Sequence, residues 1–158
     1  MSNIRYPFEN YDSNFLKAQL LYVTCATSDK DWHSMEHSHY FSELFFVTKG
    51  TGFFQIEGKQ IPVQKNDLVL INPNIPHTEF GNKEYPWEYI ALGIEGVQFQ
   101  YSEKEAPYSY SVFSLSREHT EIPWYLNTLV KEIQTQQTGY QTICQNLSLI
   151  HISEPTRH

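Results

Sequence analysis

From residue 19 onward the chain carries short apolar runs separated by glycine, proline and charged positions, and its period changes once, near residue 117. Residues 19–26, 44–48, 87–94 and 108–115 are rich in apolar, β-branched and aromatic side chains, the composition of strands. Residues 52–57 and 59–63 flank Gly58, and glycine accepts a positive φ without a Cβ clash, so this pair predicts a hairpin. Residues 67–72 (DLVLIN) make a further apolar strand, stopped by Pro73 because proline has no N–H for a ladder. Many short strands at close spacing predict a mainly β barrel or sandwich.

After residue 117 the period becomes helical. Ser116 and residues 118–121 offer capping groups, and Pro123 suits a first helical turn. Ile122, Leu126, Leu129, Val130 and Ile133 recur at three-to-four spacing; Gly139 breaks the run; Tyr140, Ile143, Cys144, Leu147 and Ile150 resume it. This predicts an αα-hairpin with one apolar stripe per helix. Such stripes serve either to pack on the barrel or to pair with a second subunit. Two helices are more than one open side of a small barrel requires, which favours a homodimer through Leu126, Leu129, Ile133, Ile143, Leu147 and Ile150. The expected layout is an arm over residues 1–18, a β domain over 19–116, a helical hairpin over 117–152 and a short tail over 153–158. Pro155 forbids further helix there, and a longer protein is expected to continue beyond the tail.

Composition narrows the function. The 158 residues suit one domain, and 40% hydrophobic content supports a core. The formal charge is −7, with 11 Lys and Arg against 18 Asp and Glu and no basic cluster, so the chain is not expected to grip nucleic acid by itself. Cys25 and Cys144 lack any CxxC or Cys/His spacing and read as buried thiols in a reducing compartment. No apolar run reaches the length of a membrane span, and residues 1–14 are polar and aromatic instead of signal-like. A cytoplasmic protein with no membrane partner is expected.

The candidate chemistry lies in His37-Ser-His39-Tyr-Phe-Ser-Glu43, followed by Gly50, and in the segment from Asp67 to His77. Two histidines at i and i+2 of an extended segment point to one face. If the strands after Gly50 return antiparallel, His77 comes beside them. Three imidazoles and one carboxylate would then suit a divalent Mn, Fe, Ni or Zn ion. Without a metal, the same groups would orient a hydroxylated ligand. Phe45 and Val47 share the Glu43 face by alternation, residues 53 and 55 form another candidate inward pair, and Trp87 and Tyr89 share a face of their strand. The last two serve either as barrel core or as a stacking wall for a ligand.

The spacing of His37, His39, Glu43 and Gly50 resembles the first motif of the cupins, and residues 67–77 resemble the second. Asn66 stands where metal-binding cupins carry glycine, and the turn over 73–77 is one residue shorter, which is expected to re-aim the His77 ring. The shorter form is similar to the sensor barrels of AraC-type transcription regulators, and the helical tail resembles their dimerising hairpin. The resemblance implies a mainly β fold, a cupin jelly-roll (double-stranded β-helix) barrel followed by a C-terminal αα-hairpin. It also implies a small polar effector, a carbohydrate by class, held by His37, His39, Glu43, Phe45, His77, Trp87 and Tyr89. Homodimerisation, no catalysis, and DNA contact only through a helix-turn-helix domain outside these residues complete the expectation. A metal-dependent cupin enzyme, a dioxygenase or sugar isomerase, is the alternative that the His37/His39/Glu43/His77 set keeps open, and a stand-alone cupin without catalysis is a third.

Overall fold

The computed structural model describes residues 4–7, 18–28, 35–81, 84, 86–99, 109–115 and 121–153, with backbone alone at 28 and 148–153. The strands are β1 (Gln19–Ser28), β2 (Ser42–Lys49), β3 (Thr51–Ile56), β4 (Lys59–Gln64), β5 (Asp67–Ile71), β6 (His77–Gly81), β7 (Trp87–Glu95) and β8 (Tyr110–Ser114). Two helices follow, α1 (Glu121–Thr135) and α2 (Tyr140–Ser153). One antiparallel sheet runs β1-β7-β2-β5-β8 and the other β4-β3-β6. The expected mainly β architecture with a C-terminal helical hairpin is thus the observed one.

The central strands are apolar at nearly every position because both faces of the larger sheet are covered. Phe45, Val47, Val69, Ile71, Trp87, Tyr89 and Ala91 pack against Phe54, Ile56 and Val63 of the smaller sheet. The alternate positions Leu44, Phe46, Leu68, Leu70, Ile90, Leu92 and Ile94 pack against Ile122, Leu126, Leu129 and Cys144 of the helices. On β3 the buried positions are Gly52, Phe54 and Ile56, so residues 53 and 55 are not the inward pair. The hairpin turn places both Glu57 and Gly58 at positive φ, as a two-residue type I′ connection requires. Pro62 lies on β4, the edge of its sheet, where a missing N–H costs no ladder bond.

The helical hairpin departs from the expected dimer seam. Leu126 and Leu129 are 0% exposed, and Ile133 and Leu147 pack partly buried on the same cluster, because the outer face of the larger sheet takes up the stripes. Leu126 and Leu129 are therefore closed to a partner. Ile143 is exposed, as is Trp124, while the Ile150 side chain lies outside the described residues. Cys144 is buried as expected, whereas Cys25 is exposed on β1. Most of the 1–18 arm also lies outside the described residues; its Ile4 and Tyr6 are exposed.

Candidate functional site

The two segments singled out in the sequence are tied by backbone hydrogen bonds. His37 and His77 exchange N–H···O bonds of 2.9 Å in each direction, and the Asn74 N–H donates to the His39 carbonyl at 2.6 Å. This pairing lays the residue 37–39 segment against the start of β6. The departures from the cupin pattern are absorbed by asparagine, which tolerates the left-handed region: Asn66 has φ 74° and Asn74 φ 66°. The shorter turn therefore still delivers His77 to the interior. Gly50, with φ 77°, closes the β2–β3 connection where a Cβ would run into the Pro86 carbonyl.

Ligand atoms of His37, His39, Glu43 and His77 all lie within 4.8 Å of one another. Glu43 Oε1 is 2.9 Å from His77 Nε2 and 3.2 Å from His39 Nε2. Tyr22 donates its hydroxyl to the other oxygen, Oε2, at 2.6 Å. The rings of His37 and His77 have centroids 4.5 Å apart, and His39 stacks on Phe41 at 4.6 Å. His37 Nδ1 lies 2.7 Å from the Met35 carbonyl and His77 Nδ1 2.8 Å from that of Ile75. A carbonyl only accepts, so each Nδ1 carries the proton and each Nε2 is turned to the cluster.

The charge state follows from these contacts. Burial opposes ionisation of Glu43, but hydrogen bonds from His77 and Tyr22 outweigh it and hold the carboxyl below its ordinary range. Burial likewise pulls His77 down, yet its bonds to Glu43 and the Ile75 carbonyl leave it above the usual imidazole value. His39 moves the other way: burial lowers it, Glu43 opposes, and the neighbouring imidazoles reinforce the lowering. Burial, followed by hydrogen bonding to Glu43, pushes the Tyr22 phenol far up, and burial with the nearby Glu79 and Glu43 does the same to Tyr89. Both phenols stay protonated.

Tyr22, His37, His39, Glu43 and Tyr89 line an open cleft of about 350 Å³ together with Thr24, Phe45, Glu79 and Ala91, while His77 is buried behind its wall. Phe45 and Tyr89 stand on its wall with ring centroids 5.6 Å apart. Trp87 does not: it is 0% exposed and fills the barrel core against Phe54 and Tyr89. Asp67, the acidic residue of the second motif, stands apart from the cluster. It accepts from the Gln64 N–H and the Ser114 hydroxyl, each at 2.9 Å, and so fastens the β4–β5 turn to β8.

Sequence reasoning missed Tyr22, Thr24, Ala91 and Glu79. Glu79 follows His77 at i+2 on β6, where alternation puts both on one face, but no strand is predicted over residues 77–81. Tyr22 was not legible, because its reach depends on how β1, β7 and β2 are aligned.

The sequence pattern of the family described as the AraC-like ligand binding domain matches residues 20–149. Among solved structures, YhaK of Escherichia coli superposes with a TM-score of 0.53 at 13% identity, covering 70% of this chain and 50% of its own. The bacterial pirin YhhW of Escherichia coli, solved in complex with nickel(II), gives 0.51 at 19% identity, covering 70% and 49%. A cupin-like protein of Thermotoga maritima is 24% identical with a TM-score of 0.44, covering 48% of this chain and 65% of that one. The chain thus spans about half the length of YhaK and YhhW, and likeness at these identities speaks for the fold alone. No curated protein matches the chain.

Proposed function

We propose, from the premise that the chain belongs to the AraC-like ligand-binding domain family, that it is the small-molecule sensor of a cytoplasmic transcription regulator. The observation that carries this reading is the convergence of His37, His39, Glu43 and His77, the first three of which line an open cleft with aromatic walls. Polar groups converging beside an aromatic wall are what a small polar ligand requires for orientation. A carbohydrate is the effector class we favour, with hydroxyls meeting the histidine cluster and a C–H face resting on Phe45 or Tyr89. DNA is then reached through a helix-turn-helix segment outside these residues, because the chain is acidic and lacks a basic cluster. Effector binding acts on that segment only if it favours one arrangement of barrel and hairpin over another.

The donor set also fits a divalent first-row metal. With Nδ1 of His37 and His77 committed to backbone carbonyls, both Nε2 atoms face inward beside His39 and the ionised Glu43, and the Tyr22 bond orients that carboxylate. His37, His39, Glu43 and His77 would hold the ion, which would supply a Lewis acid for a ligand oxygen. The nickel(II) in YhhW supports this reading. The same complete set keeps a metal-dependent enzyme as the second reading.

The test is a thermal-melting panel of neutral pentoses and hexoses, with and without Zn²⁺ or Ni²⁺. A sugar that raises the melting temperature of wild type but not of His39→Ala, and is recovered unchanged, supports the sensor. Recovery of the sugar as a product transfers the reading to an enzyme. No response to any member sinks the carbohydrate proposal. In the same material a low-salt gel shift should leave duplex DNA unbound.

A further inference from the structure

Glu79 stands on β6 two residues past His77, and strand alternation sends both side chains inward. It is 4% exposed, lines the cleft, and its Oε1 lies 3.9 Å from His37 Nε2. It is not one of the four clustered groups. The two carboxylates therefore differ in role. Glu43 is engaged by Tyr22, His39 and His77 and holds the cluster together, whereas Glu79 stands beside the cluster on the His37 side.

The lining makes this position decisive for charge. Among the described residues that line the cleft there is no Lys or Arg; Tyr22, Phe45, Tyr89 and Ala91 supply its aromatic and aliphatic wall. Glu79 is itself almost wholly buried in the cleft wall, so a carboxylate entering next to it meets a like charge at close range with no fixed cation apart from the histidine cluster itself. A hydroxyl or an ammonium meets the opposite situation, since a carboxylate accepts hydrogen bonds and never donates them when ionised.

We infer that Glu79 is the specificity-determining residue of the cleft: it admits ligands that present a hydroxyl or ammonium donor beside the histidine cluster and turns away carboxylates. This rests on the cleft being a ligand pocket, as proposed above.

Three probes of similar size separate these chemistries: ethylene glycol, ethanolamine and glycolate. Each is titrated into metal-free and zinc-loaded protein while the amide resonances of Thr24 and Ala91 are followed by NMR. In metal-free wild type, ethylene glycol and ethanolamine bind more tightly than glycolate. Glu79→Gln keeps the shape and removes the charge, and raises the glycolate-to-ethylene-glycol affinity ratio at least tenfold in both forms. Glu79→Asp keeps the charge and retains the wild-type ratio. An unchanged ratio in Glu79→Gln, or the same change in Glu79→Asp, overturns the inference while leaving the pocket intact. Tighter binding of glycolate than of ethanolamine to metal-free wild type overturns it without any variant. If no probe moves either amide in any form, the ligand pocket itself is refuted and the inference falls with it.

Discussion

Tyr22 on β1 reaches Glu43 on β2 across the whole width of β7, and the residue it crosses is Gly93. The register pairs Tyr22 with Gly93 and Gly93 with Glu43, so the three stand in one row across the sheet. A Cβ on Gly93 would collide with the Tyr22 ring. The missing side chain gives the ring a flat path, and its hydroxyl arrives 2.6 Å from Oε2. That bond occupies one carboxylate oxygen and leaves the other to His39 and His77.

Tyr22→Phe should therefore weaken Zn²⁺ or Ni²⁺ binding by about ten- to hundredfold, the usual effect of losing a group that orients a ligand. Gly93→Ala should do the same by displacing the ring. Because both act on one contact, the double variant should bind metal little worse than either single one. Additive losses in calorimetric titrations would show that the two residues act independently.

The His77–Glu43 pair gives metal-free stability a defined pH dependence. The raised His77 value means its contribution is fully present below 6.5 and is lost as pH rises through the higher folded value. The lowered Glu43 value means its contribution is present above 4.5 and is lost as pH falls through the lower folded value. The pair stabilises most between these limits. His39 shifts oppositely, so the comparison is made with His77→Gln: wild type should gain stability relative to it as pH is lowered from about 8 to 6.5. Zinc requires neutral imidazoles, so its stabilisation should grow with pH over the same range. Urea unfolding at a series of pH values, with and without zinc, checks both signs.

Leu129 and Ile143 separate core from surface on the hairpin. Leu129→Ala should cost about 2–5 kcal/mol because the side chain is wholly buried against the sheet. Ile143→Ala, at a site 42% exposed, should change stability by less than about 0.5 kcal/mol. Leu129→Glu should unfold the chain instead of merely dissociating a dimer. If light scattering finds that variant folded and monomeric beside a dimeric wild type, the packing assigned to α1 is wrong.

Gln145 on α2 holds β1 from outside the sheet. Its side chain accepts from the Leu20 N–H at 2.9 Å and donates to the Leu20 carbonyl at 3.0 Å, as a neighbouring strand would. β1 is an edge strand, so Leu20 depends on this amide for the bonds that its inner neighbours receive from the sheet. Gln145→Leu should speed hydrogen exchange at Leu20 while leaving Leu92 protected, with a stability loss of about 1–2 kcal/mol. Unaltered exchange at Leu20 would mean that the pairing does not persist in solution.

The sequence by itself determined every described strand except β6, both helices and the histidine–carboxylate set. Strand runs and glycine or proline stops are local properties of the chain, and so are the i, i+2 spacing of His37 and His39 and the helical stripes from Ile122 to Leu147. Each was legible because side-chain direction follows from strand or helix period alone. Tertiary structure decided which groups meet and which are used up. It brought Tyr22 over Gly93 to Glu43, through a register that no local period encodes and that carries a bulge between Leu20 and Tyr22. It withdrew Trp87 from the cleft by closing the smaller sheet over it, since alternation places a residue inside a barrel without saying how near the mouth. It also buried Leu126 and Leu129 on the larger sheet. An apolar stripe records that something covers it, and only the assembled layers reveal that the cover is the chain's own barrel.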